Sequence, residues 1–233
     1  MTNTENKIGE PESLYEVRNS FSRRKFLGII GAGSAIMATA AACKKNDTMS
    51  NDGVDLGSGD IGILNYAYSL EQLEAAFYSQ IVMTPYSGIS PMEMEYLTEI
   101  RNHEVAHREF FKAALGSKAI INLKLNFSSI DFASRTSVLS TAKAFEDLGV
   151  TAYNGAGQLL STTTTGAAYL TLAGKIVSVE ARHAALIADL ISNGTFADTV
   201  DGNGLDSARM PGEVLAIAKT YIETKINSSN LPS

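Results

Sequence analysis

The sequence predicts an all-α fold: a bundle of four long helices with one long crossover between the second and third, plus a short C-terminal helix. Three observations predict it. Four long windows carry apolar side chains at helical spacing, while strand signals are sparse. The connections between these windows alternate short, long, short. Two of the windows each hold a Glu followed three residues later by a His, Glu104 with His107 and Glu180 with His183. A three-residue step returns to nearly the same helix face, so each pair can bind one ion side by side. All three histidines of the chain, His103, His107 and His183, fall in these two windows.

The chain has 233 residues, and the first 42 read as a leader rather than as part of the fold. Ser22-Arg23-Arg24-Lys25-Phe26-Leu27 is a twin-arginine export pattern, followed by a Gly/Ala-rich apolar run over 27–42. That run is short for a membrane span and suits a signal peptide. The twin-arginine route resembles a pathway for proteins exported already folded, often with a cofactor inside. The only cysteine, Cys43, directly follows Ala40-Ala41-Ala42, which resembles a bacterial lipoprotein junction with lipid on Cys43. Ala40 stands where the usual Leu would be; cleavage after Ala38-Thr39-Ala40 is the alternative. One cysteine allows no internal disulfide, so the core must hold the domain. Residues 43–59 are polar and Gly-rich and read as a flexible tether. The expected location is therefore periplasmic or at the cell envelope, on a lipid anchor.

Of 19 basic and 25 acidic residues, 14 and 21 lie from Cys43 onward, a net charge of −7. No basic stripe is available for phosphates, which argues against a nucleic-acid partner. About 170 residues remain after the tether, enough for one well-cored domain.

The first helix is predicted over 61–81. Pro85 and Gly88 mark the loop after it. Ser90-Pro91-Met92-Glu93 is a capping box with Pro at the first helical position, opening a second helix that runs to Leu115, with Gly116 to close it. A third is predicted over 134–160 and a fourth over 166–192, separated by a Ser/Thr-rich turn. The bundle thus spans 60–192, and residues 193–233 form a loop and a helix over 211–226 that packs on it. Short loops make the first and second helices antiparallel neighbours, and likewise the third and fourth. The 17 residues of 117–133 reach up to roughly 55 Å when extended. A 25-residue helix is only about 37 Å long. The connector can therefore cross the whole bundle, which is the ferritin-like arrangement.

The halves repeat each other. An offset of 75 pairs Leu64 with Leu139, Leu70 with Phe145, Glu71 with Glu146 and Tyr78 with Tyr153. An offset of 76 pairs Glu104 with Glu180 and His107 with His183. Buried carboxylates are costly unless paired or bound to a cation. Glu71, Glu104, Glu146 and Glu180 carry −4, which two divalent ions neutralise. Glu and His without Cys suit Fe or Mn rather than a structural zinc. One ion is expected on Glu71, Glu104 and His107, the other on Glu146, Glu180 and His183, with Glu104 and Glu180 bridging. Tyr78 and Tyr153, two turns along their helices, can hydrogen-bond a ligand carboxylate across the bundle. Glu74 is the rival of Glu71; Glu71 is preferred because it shares the seven-residue step to Tyr with Glu146.

Leu70-Glu71-Gln72-Leu73-Glu74-Ala75-Ala76-Phe77-Tyr78, His103-Glu104-x-x-His107, Phe145-Glu146-Asp147-Leu148-Gly149 and Val179-Glu180-Ala181-Arg182-His183 resemble the bacterial ferritin-like domain family that includes desiccation-related proteins. Pro211-Gly212-Glu213-Val214-Leu215 resembles its C-terminal helix. The resemblance implies a ferritin-like bundle with a di-metal centre. Better-known relatives of the fold include ferroxidases, peroxide-reducing rubrerythrins and manganese catalases, so O2 or peroxide are the small molecules it implies.

Two other readings stay open. The centre can be structural or vestigial, in a non-catalytic stress protein. His103-Glu104-Val105-Ala106-His107 also matches the zinc-protease motif, but no third ligand follows and Glu180 and His183 are left unexplained. His103 is then expected beside the ligands or facing solvent. Asp201-Gly202-Asn203-Gly204 reads as a turn rather than a calcium loop, because Leu205 occupies a ligand position. A tethered chain is expected as a monomer or small homo-oligomer, not a closed storage cage.

Overall fold

The computed structural model describes residues 52–233. The twin-arginine segment, Cys43 and the start of the tether lie outside the described residues. Strand β1 (Val54–Asp55) is followed by helices α1 (Gly59–Met83), α2 (Pro91–Leu115), α3 (Arg135–Gly157), α4 (Thr164–Ile191) and α5 (Pro211–Ala218), then strand β2 (Ile226–Asn227). The fold is a ferritin-like bundle: α1 pairs with α2 and α3 with α4, and the two hairpins are joined by a long crossover. Among the described residues no helix is long and apolar enough to cross a membrane.

Local chemistry starts each helix where the sequence places it. The Ser90 hydroxyl accepts from the Glu93 backbone N–H at 3.1 Å, and the Glu93 carboxylate accepts from the Ser90 N–H at 3.5 Å. These satisfy donors that the first turn would leave bare. Ser134 and Thr163 cap α3 and α4 in the same way, accepting from Ser137 and Gly166. Glu93 also takes the Arg135 guanidinium, whose Nη2 donates to the Leu190 carbonyl at 2.8 Å. One arginine thereby ties the start of α2 to the start of α3 and the end of α4.

Helix α1 is buried on nearly every face, because α2, α3 and the crossover all cover it. Its buried polar side chains serve as clips for the crossover. The Asn65 amide donates to the carbonyls of Leu56 and Lys118 and accepts from the Ile120 N–H, all at 3.0 Å. Gln72, two turns further on, accepts from the Leu123 N–H at 2.8 Å. The crossover therefore runs along α1, and its Phe127 and Phe132 pack against Phe77. Phe77 in turn meets Phe145 edge-to-face at 5.0 Å, joining the hairpins. Outer helix α4 buries only one stripe, with Ile176, Glu180, His183 and Ile187 on it.

Three expectations need correction at the ends. The tether expected over 43–59 does not run to 59: β1 pairs in parallel with β2, Leu56 is fully buried, and α1 starts at Gly59. The C-terminal helix stops at Ala218 rather than at residue 226. Val214, Ala218 and Ile222 are all buried at four-residue spacing, which imitates a longer helix. The backbone beyond has other partners, however: Glu223 N–H donates to the Lys124 carbonyl and Leu125 bridges to Ile222. The third helix ends at Gly157, short of 160, and Leu159 closes a turn onto the Ala156 carbonyl. The loop before α5 lies against α3 at Gly155, where a Cβ would fall 1.8 Å from the Arg209 carbonyl oxygen. Only glycine permits that approach.

Candidate metal centre

Each of the four long helices brings one carboxylate to the bundle centre. Glu71, Glu104, Glu146 and Glu180 are all 0% exposed. On α2 the buried stripe Leu97, Ile100, Glu104 and Phe111 aims Glu104 inward, and His107 follows one turn on. On α4 the same logic aims Glu180 and His183. On α1 and α3 the centre meets Glu71 and Glu146, each followed after seven residues by a buried tyrosine.

The polar atoms form two groups around the two histidines. His107 Nδ1 lies 2.9 Å from Glu180 Oε1, 3.4 Å from Glu104 Oε2 and 3.5 Å from Glu71 Oε2. His183 Nδ1 lies 2.8 Å from Glu104 Oε1, 3.4 Å from Glu146 Oε2 and 3.9 Å from Glu180 Oε2. In each group the facing atoms lie within 4.8 Å of one another. These atoms are buried and close, yet none is aligned for a hydrogen bond. Burying so many unmet polar atoms is costly. Atoms that converge on a common point, rather than on one another, fit a cation at that point. Carboxylate oxygens with one imidazole nitrogen per group are a donor set that could hold a metal ion, with no soft ligand present in either group.

The flanking residues hold these ligands in place. The Tyr78 hydroxyl on α1 donates to Glu146 Oε1 on α3 at 2.5 Å. The Tyr153 hydroxyl on α3 donates to Glu71 Oε1 on α1. Each thereby leaves the second oxygen, Oε2, to the centre. His103 Nδ1 sits 2.9 Å from His183 Nε2 with the two rings parallel. It orients His183 from the solvent side, so it does not join His107 around one zinc as the protease motif requires. Glu74 is buried one turn beyond Glu71, but outside both groups. The Asp201 carboxylate accepts from the backbone of Asn203 and Leu205, a turn as expected.

Electrostatics reflects the crowding. Burial pushes the Glu71 carboxyl up to about 7, against the pull of His107. Burial also raises Glu146 and Glu180; for Glu180 the Glu104 charge adds to it. Burial acts on Glu104 too, but His107 and His183 overcome it and hold Glu104 down at about 2. Burial would lower both histidines; the surrounding carboxylates instead raise His107 to about 12 and His183 to about 10. The tyrosines are raised by burial and then by the carboxylates they face, so they remain donors.

The family profile of the ferritin-like domain matches residues 59–193. The chain belongs to the ferritin-like domain family. No curated protein matches the chain. The buried Glu/His cluster lies inside the matched segment, with all four helices of the domain contributing to it. Gly149 stands in the Phe145-Glu146-Asp147-Leu148-Gly149 motif without a side chain of its own, and a Cβ there would fall 3.1 Å from Glu74 Oε1. The signal for it is the 75-residue offset, which pairs Gly149 with Glu74.

Proposed function

We propose that this ferritin-like protein holds a carboxylate-bridged pair of Fe or Mn ions and uses it for redox handling of iron or peroxide. The observation that carries the proposal is how the oxygens divide. Glu104 presents Oε2 to His107 and Oε1 to His183; Glu180 presents Oε1 to His107 and Oε2 to His183. Glu71 and Glu146 each face one group only, their other oxygens being held by tyrosine. That division supports Glu71, Glu104 and His107 on one ion, Glu146, Glu180 and His183 on the other, and Glu104 and Glu180 shared. When bound, such a pair supplies two-electron exchange with O2 or peroxide. The protein's part is to fix the carboxylates, exclude bulk water and keep the tyrosines as donors. An apolar cavity of about 30 Å³ is lined by Tyr66, Leu70 and Tyr153, the last of which donates to Glu71, and has room for a small apolar molecule. This favours O2 as one oxidant.

Loading the protein with two Fe(II) or Mn(II) per chain, then adding O2 or H2O2, tests the reading. Catalytic consumption of the oxidant, absent from the metal-free protein, is the expected result. Paired metal without turnover would leave a structural centre in a non-catalytic protein.

The leader pattern supports export by the twin-arginine route, with a lipid on Cys43 and a place in the periplasm or cell envelope. Intact mass of the membrane fraction is expected to show loss of 42 residues and a lipid adduct. A soluble product beginning at Ala41 would refute the anchor. The acidic mature chain favours no nucleic-acid partner, and the tether favours a monomer or small homo-oligomer.

A further inference from the structure

We propose that Glu74 is a fifth carboxylate ligand of the metal centre and that Gly149 exists to admit it; the inference rests on the di-metal reading. The centre is nearly two-fold: Glu71 matches Glu146, Glu104 matches Glu180, and the histidines and tyrosines match in turn. Among the buried carboxylates at the centre the repeat breaks once. Continuing the 75-residue offset, the first half has Glu74 where the second has Gly149.

The two residues are complementary in space. A Cβ at position 149 would sit 3.1 Å from Glu74 Oε1 and 3.6 Å from Glu180 Oε2. The space a second-half side chain would fill is taken by the Glu74 carboxylate, reaching over from α1. Glu74 is 3% exposed, and its Oε2 is buried without a hydrogen-bond partner. Neither a tyrosine nor a histidine serves it, unlike the other carboxylates of the centre. It borders a small void of about 10 Å³, otherwise lined by Leu70, Leu73, Phe145, Leu148 and Gly149. A carboxylate in such surroundings is costly, and an apolar side chain would pack there at no such cost. What offsets the cost is a cation beside it. Gly149 places the carboxylate next to Glu180, the residue whose oxygens face both groups. Glu74 therefore makes the two metal positions unequal, adding one oxygen on one side of a symmetric cage.

Calorimetric and visible-absorption titration of the full, metal-free chain with Co(II) tests this. Wild type is expected to bind two Co(II). In Glu74→Gln both should still bind, one of them at least about tenfold more weakly. The visible band should intensify as that ion loses a ligand. Glu74→Leu should act more strongly on the same ion, since it offers no oxygen. Both variants remove a buried carboxyl, so their metal-free melting temperatures are expected to match or exceed wild type. Their gain in melting temperature on adding Co(II) should be smaller than that of wild type. Unchanged affinity, spectrum and metal-induced gain in both variants would overturn the role of Glu74 while leaving the pair of ions intact. Failure of wild type to bind two Co(II) would instead remove the di-metal reading and this inference with it.

Discussion

On the di-metal reading, replacing Glu180 with Ala is expected to cost both ions, not one. Glu180 gives one oxygen to each histidine group, so no single position survives its loss with a full ligand set. Metal content is expected to fall from two per chain to below one, with affinity weakened more than about 100-fold, since even indirect partners of a ligand cost 10–100-fold. Redox turnover should vanish with the metal. Glu180→Gln keeps the volume and should behave alike, separating the ligand from packing. Glu109→Ala is the control: Glu109 is half exposed and pairs with Arg108 at 2.7 Å. It should change neither metal content nor turnover. Elemental analysis and oxidant consumption read both outcomes. One zinc per chain, unaffected by loss of Glu180 or Glu146, would reject the paired centre in favour of the short His-Glu-x-x-His motif.

The residues at the centre were legible because each obeys a spacing rule that packing alone does not impose. Glu-x-x-His on α2 and α4, and Glu with Tyr seven residues on in α1 and α3, are polar patterns inside apolar stripes. The crossover was legible from its length. Its attachment was not, since Asn65 and Gln72 look like ordinary polar residues until their backbone partners are seen. The end of α5 was misleading for a specific reason. Val214, Ala218 and Ile222 share a four-residue spacing that fits a helix, and only the pairing of residues 222–227 with the crossover and β1 ends it. In the sequence the preference for Glu71 over Glu74 rests on the seven-residue step to Tyr alone. Both are buried on α1, and what separates them is the Tyr153 hydroxyl on Glu71 and Gly149 beside Glu74.

Metal loading should raise the melting temperature steeply, and more at pH 8 than at pH 6. Without metal the centre is a cluster of protons and charges. Glu71 titrates near 7 in the fold against 4.5 unfolded, and burial raises Glu146 and Glu180 as well. A raised carboxyl means the folded state binds more protons, so stability falls as pH climbs from about 4.5 through about 7. The histidines act in the same direction at higher pH. Their contribution is full below about 6.5 and is lost as pH passes about 10 for His183 and about 12 for His107. Glu104, held near 2, opposes this only in acid, where its contribution is lost as pH drops from 4.5 towards 2. The metal-free protein should therefore be most stable near pH 5 and weaken towards pH 8. Ions replace those protons, so their affinity rises with pH. At 100-fold excess over Kd each ion adds about 2.7 kcal/mol. With about 2–4 °C per kcal/mol for a domain of this size, that is about 5–10 °C per ion. Thermal melts with and without Mn(II) at pH 6 and pH 8 measure both slopes. A metal-induced gain that shrinks as pH rises would mean that the ions bind elsewhere than among these protonated ligands.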